Sequence, residues 1–302
     1  MARLLTPFIF ILFVSSLALA EDAPVEESAY WDYGVAIGAV RYEQYPASDE
    51  YSYLALPAPT FQYRGKIVRA DDKDGAHIYL FKGSYLTLEL SGDGTPALDS
   101  AHNKAREGMD DLPWLIGLGP ELVYRGLEDF EFGLGVFQVI TTDFKMTRFS
   151  GEIFSGRVTY NWNFPFKETW PFTEDGFSNG KLTLALKGGT QEYQSIYFEV
   201  PENNATAERP TYHAQDGFLS HDLSYYQSFK SGHVSLYVGA AWHGYDLSAN
   251  RQSPLHKSNN NFIALVGFNY VIGESAKPAV PFEDTSGVIN SIKRNRETRQ
   301  PY

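Results

Sequence analysis

The segment GHVSLYVGAAWHGYD at 232–246 alternates without a break, and no other feature constrains the chain as much. Val234, Leu236, Val238, Ala240 and Trp242 hold the even positions, and His233, Ser235, Tyr237, Gly239, Ala241, His243 and Tyr245 the odd ones. A period of two belongs to an extended strand, whose successive side chains point to opposite faces. One face suits hydrocarbon. The other mixes small, aromatic and hydrogen-bonding groups, as a wet or tightly filled interior requires. This parity predicts Trp242 toward lipid and His243 toward the interior, because a one-residue slip would exchange every side chain between faces.

The pattern recurs. Segments 33–42, 51–63, 65–70, 76–81, 85–91, 113–124, 130–140, 149–162, 181–200, 217–229, 232–246 and 261–272 all read as extended, with 181–200 bent at Gly188-Gly189 and 51–63 interrupted by Pro57 and Pro59. A soluble β-sandwich alternates too. Several of these strands, however, approach the ~9–11 residues that cross a bilayer, and 21 Phe, 20 Tyr and 5 Trp supply interfacial girdles. The reading is all-β: a closed antiparallel transmembrane β-barrel of twelve strands, or ten if the two short pieces within 65–81 do not span. Closure leaves no backbone group unpaired in lipid. Short turns then share one end with both termini, which the reading makes periplasmic. Loops 92–111, 201–215 and 247–260 fall at the other end, and 164–180 is a long exception on the short-turn side.

The N-terminus bears on the compartment. Arg3, an apolar run from Phe8 to Val14, and Ala18-Leu19-Ala20 ahead of Glu21 and Asp22 have the layout of a secretory signal peptide over 1–20. Residues 21–30 read as a short periplasmic leader, 31–272 as the barrel and 273–302 as a polar, disordered tail. The formal charge of -12 argues against a nucleic-acid partner, which would call for clustered Lys and Arg. The absence of Cys removes disulfides, thiolate metal sites and thiol nucleophiles.

In the loop and its flanks, Asp99, Asn103, Arg106, Gly108, Met109 and Asp111-Leu112 precede Gly119-Pro120; Leu56-Pro57 stands upstream with Tyr63-Arg64-Gly65. Arg251-Gln252-Ser253-Pro254 leads into Asn261-Phe262 and Gly267-Phe268-Asn269-Tyr270. In order and spacing this set resembles the MipA/OmpV family of outer-membrane proteins over roughly 30 to 272. The resemblance implies an outer-membrane barrel. In one branch of the family it implies a non-enzymatic scaffold that brings a lytic murein transglycosylase and a bifunctional murein synthase together at the peptidoglycan. Other members are described as adhesins or as porin-like proteins tied to drug sensitivity. The thirty residues after Ile272 depart from barrels that end on the aromatic residue of the last strand.

Arg106 lies among Asp93, Asp99, Glu107, Asp110 and Asp111. One reading is a latch in which its guanidinium pairs bidentately with a carboxylate and folds the loop over the barrel mouth; the other is a solvated loop whose exposed pairs contribute little. His233 and Ser235 are two apart, so they share a face if both lie in the strand. A His–Ser pair with an orienting carboxylate cleaves lipid esters in some barrels, because His must take the hydroxyl proton. Polar lining is the stronger reading for that pair and for His243. Asp99, His102 and Asp110 or Asp111 match no hard-cation spacing, and Gly92-Asp93-Gly94 lacks the helix and Lys of a phosphate loop. The reading therefore has no metal, no cofactor and no catalytic residue. In the tail, Lys293, Arg294, Arg296 and Arg299 form a cationic cluster suited to an acidic envelope partner or to the carboxylates of peptidoglycan.

Overall fold

The computed structural model describes residues 29–65, 67–71, 75–144, 146–169, 171–172 and 174–275. Residues 1–28, which include the segment 1–20 read above as a signal peptide, and the tail positions Lys293, Arg294, Arg296 and Arg299 lie outside the described residues.

Twelve strands pair antiparallel with their sequence neighbours, and the last returns to the first to close a barrel. They are β1 (Tyr30–Glu43), β2 (Tyr51–Arg64), β3 (Val68–Asp71), β4 (Gly75–Lys82), β5 (Leu86–Thr95), β6 (Trp114–Leu127), β7 (Phe130–Thr142), β8 (Thr147–Phe166), β9 (Gly176–Gly189), β10 (Gly217–Ser231), β11 (Val234–Gly244) and β12 (Asn260–Glu274). The closing ladder of β1 with β12 sets Ile37 opposite Phe268 and Ala39 opposite Val266. Ten-strand counting fails, because β3 and β4 both pair into the wall, although β3 is far too short to cross a bilayer.

Parity sorts the side chains. Ile37, Leu118, Leu134, Phe154, Leu184 and Val266 project outward and are exposed. Glu89, Glu121 and Asn269, on the opposite faces of their strands, are buried inside. An apolar exterior around a polar interior is the inverse of a soluble fold, and it is the arrangement a closed barrel needs in a membrane. Near the short-turn end, Phe130, Tyr160, Trp162 and Tyr225 line up with ring centroids 5.1, 5.7 and 6.0 Å apart along the series. Trp114 and Phe144 lie at the other rim. These are the two aromatic girdles.

Gly119-Pro120 shows why that dipeptide sits in mid-strand. A Cβ on Gly119 would stand 1.9 Å from the Val136 carbonyl oxygen, so only glycine admits β7 there. The ladder of β6 with β7 records no pair at Gly119 or Pro120, consistent with the missing proline N–H.

Three boundaries differ from the sequence reading. The segment 181–200 is not one bent strand: β9 ends at Gly189, Thr190 caps an α-helix, α1 (Gln191–Phe198), and Val200 bridges to Tyr212. Alternation is lost there because Tyr193 and Tyr197, one helical turn apart, are both buried. Strands β8 and β9 extend to Phe166 and from Gly176, which shortens the anomalous loop to 167–175. The barrel strands also run from Tyr30 to Glu274, one residue earlier and two residues later than the 31–272 read from the sequence.

Candidate functional site: a capped lumen

The long loops at 44–50, 96–113, 190–216 and 245–259 all leave from one end of the barrel and fold onto one another. Tyr45, Leu112, Tyr197, Phe198, Val200 and Leu255 are buried together there, joined by Leu115, Val139 and Leu219 from the strand tops. This is a packed hydrophobic core at one end of the barrel, of the kind that gives a soluble domain its order. It forms a cap.

Polar side chains stitch the cap, and many belong to the motifs noted in the sequence. Asp99 accepts from the Ala101 amide at 2.9 Å, and Asp111 from the Ser100 amide at 2.8 Å. The Asn103 side-chain amide donates to Gln44 Oε1 at 2.6 Å. Met109 packs against the buried cluster. Gly108 adopts φ +79°, the left-handed region that glycine enters without penalty, and its carbonyl accepts from Asn204 at 3.1 Å. Of the last-loop motif, Ser253 is buried and donates to the Phe198 carbonyl at 2.7 Å. Arg251 stays exposed and reaches the Asp246 carbonyl at 3.3 Å. Gln252 is exposed and Pro254 half-buried.

Arg106 does not pair with a carboxylate. Its Nε donates to Ser100 Oγ at 3.2 Å, and its terminal nitrogens reach the carbonyls of Tyr197 at 3.4 Å and Asp110 at 3.3 Å. The guanidinium lies over the Tyr45 ring, 5.8 Å from its centroid. The five-donor fork thus collects main-chain oxygens from two loops, which carboxylates in solvent could not bring together. Burial, before any other cause, lowers the Arg106 pKa and raises those of Tyr45 and Tyr197.

Beneath the cap lies a cavity of about 550 Å³. Its lower part holds an ion network in which Arg157 bridges Glu121, at 2.6 Å, and Glu131. Arg125 meets Glu131 at 2.7 Å and Glu89 at 3.9 Å. Higher up, His243 Nδ1 lies 2.8 Å from Glu43 Oε1, which also accepts from the Tyr245 hydroxyl at 2.5 Å. Lys187 meets Asp222 at 3.2 Å. Alternation alone puts Glu89, Glu131, Arg157 and Lys187 on the faces opposite the apolar residues of their strands, but it gives none of these pairings. All of the paired residues but Glu43 lie at inward parity, which is the signal that could have found them; their pairing across strands depends on register.

The His233–Ser235 pair is not assembled. Strand β11 starts after His233, which is exposed at the turn with its ring 6.0 Å from that of outward-facing Tyr270. Ser235 is buried on the inner face. Trp242 donates from Nε1 to Asn260 Oδ1 at 3.0 Å on the outer side, opposite the face that carries His243. Asp99 and His102 pair at 3.0 Å on the surface, while Asp111 serves the Ser100 amide. Among the described residues no group of three His, Asp or Glu is placed to hold a metal ion.

Several solved structures resemble the chain at low similarity. A bacterial polysaccharide outer membrane secretin has TM-score 0.34 at 9% identity, with 82% of this chain and 98% of that one covered. A Pseudomonas aeruginosa FadL homologue has TM-score 0.27 at 13% identity, covering 79% and 67%. Pseudomonas putida OprB has TM-score 0.26 at 7% identity, covering 82% and 95%. Similarities of this size carry nothing about ligand or activity. No curated protein sequence matches the chain. A family model described as MltA-interacting protein MipA matches residues 35–272, which takes in almost the whole barrel and every motif of the cap, and the chain therefore belongs to the MipA family of outer-membrane β-barrels.

Proposed function

We propose that the protein is a non-enzymatic scaffold of the outer membrane, with the short turns and both termini toward the periplasm and with murein-synthesis and murein-hydrolysis enzymes as partners. The observation that carries this reading is the cap. A barrel closed at one end by a packed core, with its lumen crossed by Arg157 and three glutamates, offers folded surface rather than an open path. The family's description as MltA-interacting points to a murein transglycosylase as the first partner to try. A charged cavity of about 550 Å³ favours a second reading, a small porin-like channel.

Envelope extract passed over the tagged, detergent-solubilised protein should yield a murein transglycosylase, and planar bilayers containing the protein should stay electrically quiet. Steady conductance without capture of any murein enzyme would sink the scaffold and leave the channel.

A further inference from the structure

The wall of the barrel is not closed to the same height all round. Strand β2 pairs with β1 along its whole length, from Tyr51 opposite Glu43 to Arg64 opposite Tyr30. On its other edge the described pairs are two, Tyr63 with Ala70 and Arg64 with Arg69. The β4–β5 ladder stops at His77 opposite Ser91, and above it 92–95 of β5 pairs only with β6 among the described residues. Among the described residues, the wall between the upper parts of β2 and β5 is therefore open toward the membrane. An open strand edge is costly in hydrocarbon because its amides find no acceptor. Pro57 and Pro59, which have no N–H to leave unsatisfied, lie in that edge.

The inner face beside the opening is apolar. Leu54 and Leu56 share the face of Thr60, which hydrogen-bonds buried Asn269 at 2.9 Å, so both point inward. They are nonetheless 45% and 44% exposed. Leu54 stands opposite Val40, and Val40 opposite Leu265. The strip ends at Gly239, where a Cβ would come within 2.9 Å of the Leu265 side chain.

The strip adjoins the cavity beneath the cap, whose lining includes Tyr42 and Ile263, each two residues along the same inner faces from Val40 and Leu265, and that cavity is acidic near the cap. Asp222, Asp93 and Glu43 all lie within electrostatic reach of one ammonium, that of Lys187. Glu43 and Asp222 have side chains only 9% and 8% exposed, yet Glu43 Oε2 and Asp222 Oδ1 have no hydrogen-bond partner. Three carboxylates face one lysine, and the excess stays negative even with His243 protonated. Buried acceptors left open ask for a donor.

We propose that the lumen binds a single-chain amphiphile with a primary-amine head. Its alkyl chain lies on the Leu54–Val40–Leu265 strip and reaches the membrane between β2 and β5, while its ammonium group donates to Glu43, Asp93 and Asp222. The volume beneath the cap falls within the range of small-molecule sites. This site is separate from any surface that a scaffold would present to a murein enzyme.

The test uses the intact protein in phosphatidylcholine nanodiscs, titrated calorimetrically with dodecylamine, dodecyl sulfate and butylamine against empty discs. Dodecylamine should show one saturable site per barrel, with the sulfate and the short amine at least tenfold weaker. Asp93→Asn, which disturbs no ion pair among the described residues, should weaken the amine at least threefold without weakening the sulfate. Leu54→Arg should abolish the site while the barrel remains heat-modifiable. Equal binding of amine and sulfate, no saturation above empty discs, or saturable binding indifferent to both substitutions would each overturn the assignment.

Discussion

Asn250 Nδ2 donates to Gln194 Oε1 at 2.7 Å, and both side chains are fully buried. The bond joins the last long loop to α1. Asn250 also donates to the Gln215 carbonyl and accepts from the Gln215 amide, each at 2.8 Å, while Gln194 donates to the carbonyls of Gly189 and Gly217. One asparagine thus holds three segments of the cap. Asn250→Leu removes the partner of several buried polar groups at once, each costing about 1–3 kcal/mol when left unmade. The cap should open and the barrel should survive. Protease should cut within 190–216 or 245–259 in the variant, while its heat-modifiable band persists.

Arg106→Ala should release the loop at 96–113 from α1 in the same way. Arg106→Lys should behave nearly as the alanine variant does, since one ammonium cannot reach Ser100 Oγ and two carbonyls in the directions that the guanidinium fork provides. Amide exchange across 98–112 is the measurement. Protection restored by lysine would mean that charge, and not the fork, closes the cap.

Charge on the outer face of β11 should cost according to depth. Val238→Arg lies near mid-strand and should impair assembly by ~2–4 kcal/mol, whereas Trp242→Arg, near the rim beside Asn260, should cost about 0–1 kcal/mol. Urea titrations of folding into liposomes compare the two. Equal costs would place the hydrophobic belt elsewhere on the strand.

Acid should loosen the cap through His256. Its ring stacks on Phe198 with centroids 6.3 Å apart, its Nε2 lies 3.0 Å from Asn259 Oδ1, and its Nδ1 is buried without a partner. Burial holds its pKa below the ordinary histidine range; nearby Arg251 adds to this, and the Asn259 bond opposes it. In the closed cap the ring resists protonation, while in an opened loop it takes up a proton near pH ~6.5. The stabilisation is therefore complete above that pH and is lost as pH falls from there toward the folded value. Exchange within 245–259, corrected for its intrinsic pH dependence, should be faster at pH 5 than at pH 7.5, and His256→Gln should flatten the difference. A wild-type ratio that the substitution leaves unchanged would remove His256 from the account.

The barrel was legible in the sequence because its determinant is local. Alternation at Val234, Leu236, Val238 and Trp242 needs only a period of two and a solvent that differs between the faces, and each strand announces itself independently of its neighbours. The segment 190–200 was misread for a related reason. Gly188-Gly189 ends the alternation, but eight residues with two buried tyrosines are too few for a helical period to stand out against an extended one. The motif residues Asn103, Arg106 and Ser253 could be named from the sequence without their roles. Asn103 meets Gln44 across fifty-nine positions, and Arg106 meets Tyr197 across ninety-one. Such contacts follow from how four loops converge on one rim, which closure of the barrel decides. The Glu43–His243 contact and the opening beside Leu54 likewise depend on strand register and on the shortness of β3. Composition and periodicity determined which faces meet lipid and which meet the lumen; only the tertiary structure decided which inward residues meet each other, because pairing across a closed wall is set by the strands on either side and not by the residues themselves.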